Sequence, residues 1–247
     1  MNNFLRRKEL KFAKFLEESR DVILLSSLNE GVYDPSIFKA IFLAGGPGSG
    51  KSFVAQKSTA GMGLKIINSD VLFEKLAKEA GVDLSKMSFE GPDVKVRDEV
   101  RDRAKELTAK QMQRYINGRL GLVIDGTGRD YTKIAGQKKM VEKLGYDTYM
   151  IFVNTSLEVA KERNLARTRS VPEELVVQAW NAVQHNIGKF QGLFGGSNFK
   201  IVDNNVYVSD REVFGDVWKE VMKFAKKPID NWIAKEWINQ AMKAKAK

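Results

Sequence analysis

A glycine-rich stretch near residue 45 combines the residue types and the spacing that bind nucleotide phosphates. Gly45 is followed, after four residues, by Gly50-Lys51-Ser52, which is the spacing of a Walker A P-loop. Glycine allows backbone conformations that turn successive N–H groups towards a phosphate, and the next helix adds the positive end of its dipole. The lysine ammonium of this motif reaches the β- and γ-phosphates, and the serine hydroxyl binds Mg²⁺. The predicted nucleoside triphosphate site comprises Gly45, Gly46, Pro47, Gly48, Ser49, Gly50, Lys51, Ser52 and Phe53.

Two acidic residues follow short apolar runs, at positions from which a carboxylate can face the P-loop. Asp70 comes after the predicted strand 64–67, and Asp125 comes after the predicted strand 120–124. Ligands of open α/β sheets bind in the crevice beyond the carboxyl ends of the strands. An acidic residue at such a strand tip supports Mg²⁺ directly or through water, so we expect Asp125 to bind the metal together with Ser52. For Asp70, a role at the ligand and a role as helix cap are both open.

Arginines flank a break between two predicted helices. Arg163 and Arg167 are four residues apart and hence on one helix face, Arg169 follows, and Pro172 opens the next helix. The planar guanidinium group binds phosphate oxygens bidentately. We therefore predict that segment 163–172 is a lid that closes over phosphates. The alternative is that these arginines are ordinary surface residues.

The elements that must position these residues alternate along the chain. Each apolar run that predicts a strand ends in polar residues. Amphipathic stretches that predict helices separate one predicted strand from the next. This alternation predicts an α/β fold, a P-loop three-layer α/β/α sandwich around a mostly parallel five-stranded sheet. The predicted strands cover residues 41–44, 64–67, 120–124, 146–153 and 199–202.

The composition restricts the classes of protein that fit. The 247 residues contain no cysteine, which excludes disulfides, thiol catalysis and cysteine-based zinc sites and suits a cytoplasmic location. No apolar run reaches the ~18 residues of a membrane span, and the charged first 20 residues lack the apolar region of a secretory signal. No guanine-specific Asn-Lys-x-Asp motif occurs, which favours ATP over GTP.

The net charge of +10 is concentrated at the two ends of the chain. Residues 1–20 hold six basic and three acidic side chains, and residues 219–247 hold eight and three, so the 198 residues between them carry about +2. Such a basic surplus fits nucleic acid as a partner, and it fits solubilising ends equally well. Both interpretations are open.

Four motifs, in this order, resemble those of the zeta-toxin and polynucleotide-kinase group of P-loop kinases. The resemblance covers about residues 38–205 and leaves out the helices predicted at both ends. The motifs are Gly45–Ser52, Asn68-Ser69-Asp70, Asp125-Gly126-Thr127-x-Arg129, and Arg163-Asn164-x-x-Arg167 before Val171-Pro172.

The resemblance implies an ATP-dependent kinase that moves the γ-phosphoryl to an acceptor hydroxyl. Asp70 matches the residue that accepts the proton of that hydroxyl, and Lys51 and Ser52 match the residues that bind phosphate and Mg²⁺. Arg163 and Arg167 match the arginines that neutralise charge on the transferring phosphoryl group. Thr127 and Arg129 are expected to bind the substrate.

The two branches of this group imply different acceptors. The Asp-Gly-Thr-x-Arg segment is closer to zeta toxins, which have Glu in place of Asp125, and implies a UDP-N-acetylhexosamine hydroxyl. The lid with Asn164 is closer to polynucleotide kinases and implies the 5′-hydroxyl of DNA or RNA, or a nucleotide. Those kinases have Asn-Arg-Asp-Asp where this chain has Asn-Ser-Asp-Val at 68–71.

The domain prediction has three parts. Residues 1–36 form an N-terminal helical extension with an amphipathic helix over 4–28, residues 37–226 form the P-loop kinase domain with its lid, and residues 227–247 form an amphipathic helix and a basic tail. The terminal helices leave open an interpretation from another class, a nucleotide-dependent ATPase switch or binding module that docks a protein partner through them.

Overall fold

The computed structural model describes residues 31–84, 92–166, 170–205 and 212–245. The amphipathic helix predicted over 4–28 lies outside these residues, and so do Arg167 and Arg169 of the predicted lid.

Five strands form one sheet, and each pair of neighbouring strands is parallel. The order across the sheet is β2-β3-β1-β4-β5, so the strand that leads into the P-loop lies at the centre. Every residue of that strand is buried, as expected of a parallel strand covered on both faces. The predicted five-stranded parallel sheet is therefore confirmed. The strands are β1 (Lys39–Ala44), β2 (Lys65–Ile67), β3 (Leu122–Asp125), β4 (Asp147–Asn154) and β5 (Phe199–Asp203).

Eight α-helices lie within the described residues, and they connect and cover the strands. A 3₁₀ helix, Gly196–Asn198, precedes β5. The α-helices are α1 (Lys51–Thr59), α2 (Ser69–Ala80), α3 (Pro92–Asn117), α4 (Tyr131–Glu142), α5 (Leu157–Leu165), α6 (Glu173–Phe194), α7 (Glu212–Lys226) and α8 (Trp232–Lys245).

The two faces of the sheet carry separate hydrophobic cores. Successive side chains of a strand point to opposite faces, so Phe42 of β1 joins one core and Leu43 joins the other. The core on the Phe42 side includes buried residues of α3, α4, α6 and α8, and the core on the Leu43 side includes residues of α1 and α7. These layers make the three-layer α/β/α sandwich that the sequence predicts.

A third hydrophobic core joins α2 to α3, away from the two sheet faces. Phe73, Leu76 and Ala77 of α2 pack against Val100 and Ala104 of α3, and all five are buried. The two helices thus form a helical hairpin with apolar contacts of its own, next to the edge strand β2.

The last helix, α8, packs on the core of the domain. Its Trp237 ring lies 5.5 Å from the Phe38 ring in an edge-on arrangement, and Ala234 is buried against Gly145. No helix in the described ranges combines the length and the apolar character that crossing a membrane requires.

Candidate active site

The tips of the strands bring the predicted site residues to one edge of the sheet. Because all five strands are parallel, their carboxyl ends meet at the same edge, where open α/β sheets bind ligands. The P-loop follows β1, Asp125 ends β3, and the helix that contains Asp70 begins two residues after β2. The tips of β4 and β5 complete this edge on the other side of the P-loop.

The P-loop has the backbone that its glycines predict. Gly48 and Gly50 have φ values of 76° and 77°, in the left-handed region that favours glycine. A Cβ atom at Gly48 would overlap the carbonyl oxygen of Ala160 in α5, so the loop also needs glycine there for space. Helix α1 begins at Lys51 without a side-chain cap, so no capping side chain competes with an anion at the start of this helix.

The other P-loop residues differ in exposure. Ser49 is buried, and its Oγ has no hydrogen-bond partner among the described residues. Ser52 is exposed at the first turn of α1. The Phe53 ring is 40% exposed and lies 5.5 Å from the Lys57 ammonium. Gly46 lies close to the backbone of Trp180 in α6.

Lys51 and Asp125 form a buried ion pair. Lys51 Nζ lies 2.8 Å from Asp125 Oδ1, and their side chains are 16% and 5% exposed. Asn68 Nδ2 donates a hydrogen bond to Asp125 Oδ2 at 2.6 Å, so both carboxylate oxygens have a neighbour. The Oδ1 contact has ion-pair distance without hydrogen-bond geometry, which leaves that oxygen able to accept a further ligand.

The residues present fit a magnesium ion bound together with a nucleotide. Mg²⁺ prefers oxygen ligands and is usually held by one or two protein groups plus phosphates and waters. The Asp125 carboxylate and the Ser52 hydroxyl are oxygen donors of this kind. Across the described ranges, no group of three or more His, Cys, Asp or Glu residues could hold a metal ion.

Asp70 lies in the first turn of α2 with an exposed side chain. The cap of this helix is Asn68, whose Oδ1 accepts hydrogen bonds from the backbone N–H of Asp70 at 2.7 Å and of Val71 at 3.4 Å. Asp70 is therefore not the helix cap. Asn68 connects it to the ion pair, because the Asn68 amide binds the Asp70 backbone at one end and Asp125 at the other.

The segment after β3 is fixed through its backbone. Gly45 N–H donates to the Thr127 carbonyl at 3.1 Å, which ties this segment to the P-loop. Asn186 of α6 donates to the carbonyls of Gly128 and Arg129, both at 3.0 Å. The side chains of Thr127 and Arg129 are exposed.

Arg163, the predicted lid arginine within the described residues, contacts the tip of β5. Its Nη1 donates to the carbonyl of Asn204 at 2.7 Å, and Asn204 Nδ2 donates to the carbonyl of Ser49 at 2.7 Å. Helix α5 is described as far as Leu165, and Arg167 lies outside the described residues, so its place on the same helix face stays a prediction.

The base of the predicted lid is closed by Asn164. This side chain is 2% exposed, donates to the Val171 carbonyl at 2.7 Å and accepts from the Val171 N–H at 3.0 Å. The two hydrogen bonds join the end of α5 to the residue just before Pro172.

Three asparagines at this edge, Asn68, Asn186 and Asn204, make contacts that the sequence did not predict. Asn68 was detectable, because Asn two residues before an acidic helix start is a common cap. Asn186 and Asn204 bind backbone groups 58 and 155 residues away, and no local pattern marks such partners.

The chain matches a family model and two curated proteins. A family model described as an AAA domain matches residues 41–189, more than half of the 247. A cytidylate kinase of Ignicoccus hospitalis is 38% identical over 60 residues, which cover 23% of this chain and 35% of that protein. A cytidylate kinase of Methanopyrus kandleri is 26% identical over 163 residues, 65% of this chain and 78% of that protein. The match thus spans about a third of the first relative's length.

A solved structure shares the fold at low identity. The structure of the PezAT chromosomal toxin–antitoxin system of Streptococcus pneumoniae is 18% identical, with a TM-score of 0.53. The likeness covers 88% of this chain and 94% of that chain, and at this level of identity it shows the fold alone.

Proposed function

The chain belongs to the AAA domain family and has a P-loop kinase-like fold, and from this premise we propose that it is an ATP-dependent phosphotransferase. The reaction moves the γ-phosphoryl of Mg-ATP to the hydroxyl of an acceptor. The observation that carries the proposal is the cluster of Lys51, Asp125 and Asn68 beside the P-loop, with Asp70 on the next strand tip. Phosphoryl transfer depends mostly on positioning and on neutralising charge, which these residues can do.

The ion pair supplies both charges that a metal–nucleotide complex needs. The Lys51 ammonium binds the β- and γ-phosphates, and Asp125 with Ser52 binds Mg²⁺. Neither side chain has to move into the site, because Lys51 Nζ and Asp125 Oδ1 already lie 2.8 Å apart beside the P-loop. The N–H groups at the start of α1 bind the remaining phosphate oxygens.

Asp70 is the base of the proposed reaction. The acceptor hydroxyl gives its proton to the Asp70 carboxylate while its oxygen forms a bond to the γ-phosphorus. The bond from that phosphorus to the bridging oxygen breaks, and ADP leaves with the electron pair. Arg163, and Arg167 beyond the described residues, balance the charge on the transferring group. An exposed carboxylate suits this role because the acceptor must reach it from solvent.

The acceptor is either a sugar or nucleoside hydroxyl of a nucleotide, such as a UDP-sugar, or the 5′-hydroxyl of a nucleic acid. Both follow from the motif resemblance. A second candidate function is favoured by the curated relatives, which are named cytidylate kinases. In that case the acceptor atom is a phosphate oxygen of a nucleoside monophosphate, and Asp70 has no proton to accept.

A transfer assay separates these candidates. Purified protein, Mg²⁺ and γ-labelled ATP are incubated with UDP-sugars, nucleosides, 5′-hydroxyl DNA and RNA, and CMP. The proposal expects label in a hydroxyl acceptor and a 10²–10⁴-fold loss in Asp70→Asn, the range of general-base groups. The control Asp216→Asn changes an exposed carboxylate on α7 and should keep full activity. Label in CMP that survives Asp70→Asn would establish the second candidate instead.

Label in free phosphate alone would support the remaining interpretation, an ATPase switch that binds a partner. The partner surface is then best tested at Trp232, which is 76% exposed at the start of α8. Deleting α8 is a poor test, because Ala234 and Trp237 pack on the core. Trp232→Ala should abolish partner binding and leave nucleotide affinity unchanged.

A further inference from the structure

The tip of β5 touches the P-loop through one side chain. Asn204 Nδ2 donates to the carbonyl of Ser49 at 2.7 Å, across 155 residues of sequence. Asn204 Nδ2 also lies close to Gly50, because a Cβ atom added at Gly50 would overlap it. Asn204 therefore lies directly against the peptide group that joins Ser49 to Gly50.

The backbone of Asn204 is held from two directions. Its N–H donates to the carbonyl of Asn154 at the tip of β4 (2.9 Å), and its carbonyl accepts from Arg163 Nη1 (2.7 Å). The Ser156 N–H donates a further hydrogen bond to the side-chain oxygen of the neighbouring Asn205. The side-chain amide of Asn204 is thus presented to the P-loop from a backbone that β4 and α5 hold in place.

The orientation of one P-loop amide follows from this contact. A peptide group is planar and trans, so its C=O and N–H bonds point in opposite directions. The Ser49 carbonyl points to Asn204. The Gly50 N–H of the same peptide group therefore points away from Asn204, and the N–H groups of a P-loop are the groups that bind phosphate. The φ of 77° at Gly50 is compatible with this orientation.

We propose that Asn204 is a positioning residue of the phosphate site. It holds the Ser49–Gly50 peptide group so that the Gly50 N–H faces the phosphates, and Arg163 holds Asn204 in turn. The inference rests on the proposed function in one respect, that the P-loop binds a triphosphate. It does not depend on the identity of the acceptor.

The test compares two ligands that share a phosphate chain and differ in the base. Isothermal titration measures the dissociation constants of Mg-ATP and of inorganic triphosphate with Mg²⁺ for the full chain, for Asn204→Ala and for Asn204→Leu. The leucine variant keeps the branched outline of the side chain without the donor. The control Asn239→Ala changes an exposed asparagine of α8. Thermal midpoints show which variants remain folded.

The proposal expects both ligands to bind about 3- to 10-fold more weakly in each folded variant, the effect of one net hydrogen bond. A weaker Mg-ATP with unchanged inorganic triphosphate would overturn it, because Asn204 would then act at the base. Unchanged binding of both ligands would also overturn it. If the unaltered protein binds neither ligand, the proposed function itself fails, and that outcome is visible before any variant is made.

Discussion

Replacing Asp125 by asparagine removes one charge of the ion pair that Lys51 forms at 2.8 Å. The new side chain has nearly the same shape, and its amide oxygen can still accept from Asn68. What is lost is the negative charge beside a lysine ammonium that is 16% exposed. We expect Asp125→Asn to lower the free energy of unfolding and to change how the nucleotide binds.

The magnitude follows from distance and burial. Two unit charges 2.8 Å apart attract by about 6 kcal/mol at an effective dielectric constant of 20, and the cost of burying them offsets most of this. Removing one partner of a fully buried pair costs about 3–5 kcal/mol. Lys51 opens onto the crevice and regains some water, so we expect a loss of about 2 kcal/mol, or roughly 4–8 °C in Tm.

Urea denaturation followed by tryptophan fluorescence measures this loss. The matched control is Asp102→Asn, which breaks a pair with Lys105 at 2.9 Å whose side chains are 76% and 59% exposed. Exposed pairs contribute ~0–1 kcal/mol, so this variant should match the unaltered protein closely. Equal unfolding free energies for all three proteins would refute the reasoning that Lys51–Asp125 is a stabilising buried contact.

The same variant makes a prediction of opposite sign for the ligand. Without Mg²⁺, ATP must draw Lys51 away from Asp125, so Asp125→Asn should bind metal-free ATP more tightly than the unaltered protein. With Mg²⁺, it should need a higher metal concentration for phosphoryl transfer, because a carboxylate ligand is missing. Titration of ATP with EDTA and of Mg²⁺ in the transfer assay gives both values. A weaker affinity for metal-free ATP would contradict the exchange of partners by Lys51.

Three further changes test other contacts. Gly48→Ala should lower the free energy of unfolding by at least ~1–2 kcal/mol, because the φ of Gly48 is 76° and the Cβ would overlap a carbonyl of α5. The control Gly136→Ala, at an open position of α4, should raise the free energy of unfolding by ~0.5–1 kcal/mol in the same urea assay. Burial, and a glutamate beside it, raise the pKa of the Tyr149 phenol, so its stabilising effect is complete below pH ~10 and falls as the pH rises further. Tyr149→Phe should therefore make the loss of stability between pH 9 and 11 shallower, and an unchanged slope would contradict this. Asn164→Ala should cost ~2–3 kcal/mol by removing two buried hydrogen bonds, and a loss under 0.5 kcal/mol would show that water replaces them.

The parts of this protein that the sequence predicts well are those encoded locally. The P-loop is a short continuous stretch in which glycine, lysine and serine each have one physical task, and the structure has the left-handed glycines that this requires. Asp125 was predictable as a strand tip, because the apolar run before it ends there. The parallel sheet followed from the alternation of short apolar runs with helices.

The parts that were missed depend on residues far apart in the chain or on the exact residue at which a helix begins. Asn204 and Ser49 meet only after β5 has joined the sheet beside β4. The helix-cap role proposed for Asp70 went to Asn68, because both are cap-forming residue types and the helix begins two residues earlier than the apolar pattern suggests. The shared helix face predicted for Arg163 and Arg167 stays a prediction, because Arg167 lies outside the described residues.

The separate core of the α2–α3 hairpin has a consequence for how the protein changes over evolutionary time. Its apolar contacts, such as Leu76 with Val100, do not involve the residues that form the P-loop or the two sheet cores. A substitution there is expected to alter the packing of α2, whose first turn carries Asp70, without removing a contact of the P-loop or of the two sheet cores. Substitutions in the hairpin core are thus expected to accumulate more freely than substitutions beneath the P-loop.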